Sequence, residues 1–147
     1  PEGLPEIYGD PNRIAQVLIN LISNAIKFTE SGGVAVSVSQ KSKTMVQVDV
    51  SDTGPGISAE DQKKLFKPFS QIPRSDGQKK EGTGLGLAIS KEIIRLHNGK
   101  RWVESEPGKG AKFSFLLRTA PKKERAKKAG APQPAQEPVA AEPLPNA

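Results

Sequence analysis

Between residues 14 and 25 the apolar positions fall at Ile14, Val17, Leu18, Leu21, Ile22 and Ala25. This three-and-four spacing predicts an amphipathic helix. Asp10 is a suitable N-cap with Pro11 at the first helical position, and the helix is expected to run to about Phe28. Ser31-Gly32-Gly33 then turns the chain. The period changes from that of a helix to two: Val34, Val36 and Val38 alternate with small polar residues, and Val46, Val48 and Val50 repeat the alternation from Met45 to Val50. Two strands are predicted, joined by a hairpin link over Gln40 to Lys43. Ile7 and Tyr8, in an extended opening segment, are a candidate short strand.

Asp52 to Gly56 is a Gly/Pro-rich turn at a strand end. Ser58 can cap a short helix through Leu65, with Glu60 and Asp61 in its first turn. Residues 67–84 read as a long polar loop, a length that usually means function or disorder. Leu85, Ile89, Ile93 and Leu96 mark a second long helix, which Gly99 is expected to end. Arg101 to Ser105 and Ala111 to Leu117 read as strands joined by Pro107-Gly108-Lys109-Gly110. From Thr119 the chain is Ala, Pro, Lys and Glu with almost no large apolar residue. The expected organisation is one domain over 1–118 and a disordered tail or linker over 119–147. The fold class is α/β: a two-layer sandwich, with a mixed, mostly antiparallel sheet of about five strands covered on one face by about three helices.

Composition narrows the function classes. The 147 residues suit one domain of ordinary size. With no Cys and one His, disulfides, thiolate metal sites and multi-histidine metal sites are excluded, and a reducing cytoplasm is compatible. No apolar run approaches the roughly 20 residues of a membrane span, and no signal-peptide pattern opens the chain. It begins at Pro1-Glu2-Gly3 without Met and reads as a fragment of a longer protein. The formal net charge is +6, with much of the excess between Arg118 and Lys128. One Trp, one Tyr and five Phe leave no basic patch interleaved with stacking aromatics, so the basic run is read as a solvated linker and nucleic acid is not an expected partner.

Three constellations carry candidate chemistry. At about 100° per residue, Asn20, Asn24 and Lys27 share one stripe of the first helix, away from its apolar side. Asn propagates a helix poorly compared with Glu or Lys, yet it offers a neutral oxygen for Mg²⁺, and Lys offers a positive charge for phosphate. Alone, the stripe reads first as a solvated face. In Asp52-Thr53-Gly54-Pro55-Gly56-Ile57, a carboxylate at a strand end can accept from an amino group such as adenine N6, and the glycines let backbone approach a flat ring. Alone, this segment reads first as a turn. Gly82-Thr83-Gly84-Leu85-Gly86-Leu87 opens the second helix, where free amides and the helix dipole favour phosphate. The glycine spacing departs from the Rossmann fingerprint and the Walker lysine pattern is absent.

The set in this order resembles the histidine kinase branch of the GHKL ATPases, which have the Bergerat fold. The N box corresponds to Asn20 to Thr29, the G1 box to Asp52 to Ile57, the F box to Lys64-Leu65-Phe66-Lys67-Pro68-Phe69 and the G2 box to Gly82 to Leu87. Trp102 to Gly110 resembles the family's closing hairpin, and the likeness covers roughly residues 4–118. The resemblance implies ATP and Mg²⁺ as ligands. It implies Asn24 as the metal ligand with Asn20 beside it, Lys27 on phosphate, Phe28 near the adenine pocket and Asp52 on adenine N6. Gly54, Gly56 and Ile57 would shape the base pocket; Gly82, Thr83, Gly84, Leu85, Gly86 and Leu87 would line the phosphates. The segment between the F and G2 boxes would be a mobile lid, with Arg74, Lys79 and Lys80 as candidate phosphate contacts.

Hydrolytic relatives place Glu where this chain has Asn20, and an amide cannot serve as a base for water. The resemblance therefore implies a kinase that holds ATP while an imidazole attacks. That histidine would lie on the chain's own upstream dimerisation and phosphoacceptor domain, absent here. The parent would be a homodimer that passes the phosphate to a response regulator receiver domain. It would act in the cytoplasm, with membrane anchorage left open. His97, at the end of the second helix, reads as a capping or packing residue. Trp102 reads as hairpin packing. Two alternatives are weighed against the kinase: an ATP-hydrolysing relative of gyrase, chaperone or mismatch-repair type, and a non-enzymatic nucleotide-regulated interaction module.

Overall fold

A computed structural model describes residues 2–70 and 84–121. The first helix, α1, runs Pro11–Phe28; the Asp10 carboxylate accepts from the amides of Asn12 and Arg13, and Pro11 fills the position where no intrahelical donor is needed. The strands β1 (Val34–Ser42) and β2 (Met45–Asp52) form an antiparallel hairpin. A short helix α2 (Ala59–Gln62) follows, then α3 (Gly86–Leu96) and a second hairpin, β3 (Lys100–Ser105) and β4 (Ala111–Arg118).

The strand order is β1-β2-β4-β3, and every pairing is antiparallel. The described sheet thus has four strands and no parallel pair. The candidate strand at Ile7 is reduced to a single bridge with Thr119, flanked by Tyr8 N–H to Arg118 O (2.9 Å) and Ala120 N–H to Glu6 O (2.7 Å). Pro5 has no amide to donate and Asp10 already caps α1, so little chain is left between them to pair. These bonds carry order past the expected boundary: Thr119 and Ala120 are buried.

Period two sorts the sheet into two faces. Val46, Val48 and Val50 of β2, Phe113, Phe115 and Leu117 of β4 and Val103 of β3 face the helices. Val17, Leu21 and Ala25 of α1 and Ile93 and Ile94 of α3 close the core from above, with the two helices packed side by side. The helix expected to reach Leu65 stops at Gln62. Lys64 N–H to Asp61 O and Leu65 N–H to Gln62 O continue it as tighter three-residue turns that bring Leu65 into the core.

Gly99 does not take the left-handed position after α3. Asn98 does, at φ 54°. Asn98 N–H donates to Arg95 O (3.0 Å) and Gly99 N–H to Ile94 O (2.9 Å), a paired closure that satisfies two helix-end carbonyls. Residue 99 is glycine for space: a Cβ there would lie 2.2 Å from Leu116 O on β4.

The opposite face of the sheet carries Trp102, Ser114, Asp49 and Lys112. Asp49 Oδ1 accepts from Ser114 Oγ (2.5 Å) and Gln47 Nε2 (2.9 Å), and Lys112 pairs with Glu104 at 2.9 Å. Burial alone would push the Asp49 carboxyl up. The hydrogen bonds from Ser114 and Gln47, with the charges of Lys112 and Lys41, outweigh it and hold the group below its ordinary 3.8. A carboxyl depressed in the folded state stabilises above its unfolded value, and that contribution is lost as pH falls through the folded value. Asp49→Asn should therefore be less stable than the parent at neutral pH, with the gap closing below about pH 4. Urea unfolding of both proteins across that range checks it.

Candidate functional site

One end of the site forms where β2 stops. Asp52 lies on the helix-facing side of the sheet, opposite Ala111 of β4. Its Oδ1 accepts from Gly54 N–H at 2.9 Å, which points the carboxylate back over the loop that follows. That loop is fastened to the hairpin between β3 and β4. Gly108 N–H donates to Pro55 O (2.7 Å) and Ile57 N–H donates to Ser105 Oγ (2.8 Å). Ser105 Oγ in turn donates to Gly110 O (2.7 Å), and Gln62 Nε2 donates to both Ile57 O and Ser105 O at 2.9 Å.

Two glycines set how close these segments come. Gly56 has φ 77°, and a Cβ on it would lie 2.0 Å from Glu106 O. Gly110 has φ 76°, and its Cβ would lie 2.0 Å from Asp52 O. Both positions need the left-handed backbone and the missing side chain. On the α1 side, Gly54 approaches the carbonyl of Phe28: a Cβ there would be 3.0 Å from Phe28 O. Thr53 holds the turn before β1, accepting from Gly33 N–H and donating to Ser31 O, each at 3.0 Å. Phe28, Asp52, Gly54 and Gly56 are thus brought together, while Ile57 packs on the core below them.

The other end forms between α1 and the start of α3. Asn20 Nδ2 donates to Gly86 O (3.1 Å) and Ser90 Oγ (3.2 Å). Leu85 precedes α3 and makes no side-chain cap hydrogen bond to its first turn. Leu87 packs on the core. Gly84, at φ 71°, lies against the backbone of Phe69, whose N–H donates to Gly84 O (3.0 Å). Asn24 and Lys27 lie half-buried on α1 between the two ends. From Asn20 to Phe28 the helix rises about 12 Å, the scale of an extended nucleotide. Arg74, Lys79, Lys80, Gly82 and Thr83 lie outside the described residues.

The F-box residue Phe66 meets Phe113 edge-on (6.3 Å, 73°) and carries the Arg101 guanidinium 4.2 Å above its ring. Burial lowers the Arg101 pKa, and its Nε has no hydrogen-bond partner among the described residues. Phe69 is exposed and holds φ 61°, a conformation rare for an aromatic residue. His97 is engaged at both ring nitrogens. Ile93 O, 2.7 Å from Nδ1, can only accept, so Nδ1 carries the proton and Nε2 accepts from Asp10 N–H at 3.0 Å. The histidine thus ties the end of α3 to the cap of α1, as its packing reading expects.

The family described as histidine kinase-, DNA gyrase B- and HSP90-like ATPase matches residues 9–121. The chain belongs to this ATPase family. Similar proteins within it include sensory kinases. The adaptive-response sensory kinase SasA of Thermosynechococcus vestitus is 48% identical over 118 residues, and that of Crocosphaera subtropica is 46% identical over 118 residues. In both cases the match covers 80% of this chain and 30% of the relative, so the chain spans under a third of their length. Among solved structures, full-length ShkA in complex with AMPPNP superposes with TM-score 0.69 at 38% identity, covering 80% of this chain and 24% of that one. The catalytic domain of histidine kinase ThkA superposes with TM-score 0.64 at 38% identity, covering 77% and 71%. The chain is accordingly an ATP-binding domain of the histidine kinase type.

Sequence reasoning missed Ser105, Gln62 and Ser90. Ser90 lies inside α3, while Gln62 ends α2 and Ser105 ends β3, and none is distinguishable by pattern from a solvated residue. Ser105→Ala removes one acceptor and one donor from the junction behind the G1 loop. It should cost about 1–3 kcal/mol, since Ile57 N–H and Gly110 O both lose a partner. Chemical denaturation with an unchanged slope would register that loss.

Proposed function

We propose that this domain binds ATP with Mg²⁺ and presents the γ-phosphate to a histidine on a separate helical dimerisation domain, from which a response regulator takes the phosphate. The observation that carries the proposal is the pairing of Asn20 with the start of α3, which leaves an amide at the place where hydrolytic relatives have a carboxylate. An amide cannot take a proton from water, so the site favours holding ATP over hydrolysing it.

In this reading adenine lies over the loop after β2. Asp52 accepts from its amino group while Gly54 N–H fixes the other side of the carboxylate, and Phe28, Gly56 and Ile57 bound the pocket. The triphosphate runs along α1 toward the G2 box. Lys27 neutralises phosphate charge, and the first-turn amides of α3, with Gly84, Leu85 and Gly86, receive phosphate oxygens. Arg74, Lys79, Lys80, Gly82 and Thr83 would add contacts from the intervening segment.

The donor set suits Mg²⁺. Among the described residues no group of three His, Cys, Asp or Glu could enclose a metal, so an ion here would rest on Asn24 oxygen, nucleotide phosphates and water. That sparse, hard-oxygen environment is how Mg²⁺ is usually held. When bound it supplies charge neutralisation at the phosphates; the residues themselves contribute binding and orientation. Ile19 and Ile26, both 62% exposed and seven residues apart on α1, give a helical partner an apolar place to dock beside the site. No described helix is long and apolar enough to cross a membrane.

Calorimetry with a non-hydrolysable ATP analogue and Mg²⁺ tests the site. The parent should bind, Asp52→Ala should lose at least about tenfold in affinity, and Asn24→Ala should weaken binding by several-fold, as expected for a lost specific polar contact. Incubation with γ-labelled ATP tests the transfer. The domain alone should stay unlabelled, while a histidine-bearing dimerisation domain added in trans should become labelled. Self-labelling or steady hydrolysis by the domain alone would overturn the reading.

A further inference from the structure

Ser90 lies in the middle of α3 and is 1% exposed. A serine inside a helix is not favoured by propensity, and when present it usually turns its hydroxyl to the carbonyl one turn back. Here that carbonyl belongs to Gly86, the first residue of α3, and the space beside it is filled by Asn20 from the neighbouring helix. Asn20 Nδ2 stands 3.1 Å from Gly86 O and 3.2 Å from Ser90 Oγ. Because a backbone carbonyl only accepts, the Asn20 atom facing it must be the nitrogen. Both acceptors that Asn20 Nδ2 reaches lie on α3. A Cβ on Gly86 would meet Asn20 no closer than 3.7 Å, so the contact depends on these hydrogen bonds rather than on tight backbone approach.

We infer that Ser90 is a positioning residue of the nucleotide site, holding the Asn20 amide nitrogen on α3 so that its oxygen is the atom offered toward the triphosphate. This rests on the proposed ATP site and adds to it. An acceptor oxygen is repelled by phosphate oxygens and attracted by a cation or its bound water. With Ser90 in place, the Asn20 nitrogen is held by α3, and in the proposed site its oxygen joins that of Asn24 on the metal side of the nucleotide. The same bonds hold the first turn of α3 against α1, so the two halves of the phosphate region keep one spacing. An aspartate at position 20 could not take this role, since it has no hydrogen for Gly86 O.

The test compares the parent, Ser90→Ala, Asn20→Ala and the double variant, all ¹⁵N-labelled. In the parent, the Asn20 side-chain NH₂ should exchange slowly with solvent before any nucleotide is added; rapid exchange would refute the pairing itself, whatever the variants do. Ser90→Ala should speed that exchange. It should also weaken the Mg²⁺-bound ATP analogue by about five- to tenfold, the scale of one hydrogen bond, while adenosine affinity stays within about twofold. The double variant should bind no more weakly than Asn20→Ala, because the serine acts through the asparagine. Equal losses for adenosine and the analogue, an unchanged analogue affinity, or additive losses in the double variant would reduce Ser90 to a packing residue. If the parent binds no nucleotide at all, the ATP reading fails and the positioning role with it, while the exchange measurement still decides the Asn20–Ser90 pairing.

Discussion

The carbonyl of Asp52 sits where a side chain on Gly110 would have to be, and that missing side chain governs the end of the site nearest the sheet. With Gly110 at φ 76° and Gly56 against Glu106 O, the loop after β2 and the turn between β3 and β4 meet backbone to backbone. Ser105 and Gln62 then satisfy the polar groups trapped at that junction. Part-buried carbonyls and amides are costly when unpaired, so these bonds favour the observed arrangement of the junction. Asp52 inherits its placement from it. In the proposed ATP reading that placement matters, because discrimination of adenine would depend on a polar group held where only the right ligand can pair it.

The opposite end depends on α1 presenting different sides to different neighbours. One side gives Val17, Leu21 and Ala25 to the sheet. Another gives Asn20 to α3. The polar stripe between them carries Asn24 and Lys27. The helix is therefore the rigid part to which both ends refer: its last residue, Phe28, touches the loop after β2, and its middle holds the start of α3. A functional constellation built on a packed helix is held more tightly than one built on loops.

Much of this was legible in the chain. Period 3.6 from Ile14 to Ala25 and period two through Val34 to Val50 located the helix and the first hairpin, since each element buries one face and pattern records burial. The Asn20, Asn24 and Lys27 stripe reads alone as a solvated face, although asparagine is a costly choice there, and only its order with the other boxes makes it a candidate site. Less legible were features set by pairing across long separations. Nothing local tells that β4 lies between β2 and β3, or that Ile7 keeps a single bridge to Thr119. The end of α3 was read on Gly99, whereas Asn98 takes the left-handed turn and Gly99 makes room for Leu116 O. Ser90 and Ser105 were invisible for a similar reason: their value lies in a partner on another element.

The single histidine bears on where the phosphate goes. A phosphoacceptor imidazole needs a ring lone pair facing the γ-phosphate. In His97 the proton on Nδ1 is held by Ile93 O, and the remaining lone pair, on Nε2, accepts from the Asp10 amide. Attack from that nitrogen would cost the cap region of α1 one of its hydrogen bonds and free the end of α3 from it. Position 20 carries an amide rather than a carboxylate, and the chain's one histidine has both ring nitrogens engaged. In the proposed kinase reading, another domain would bring the nucleophile, and His97 keeps its role in packing α3 against the cap of α1.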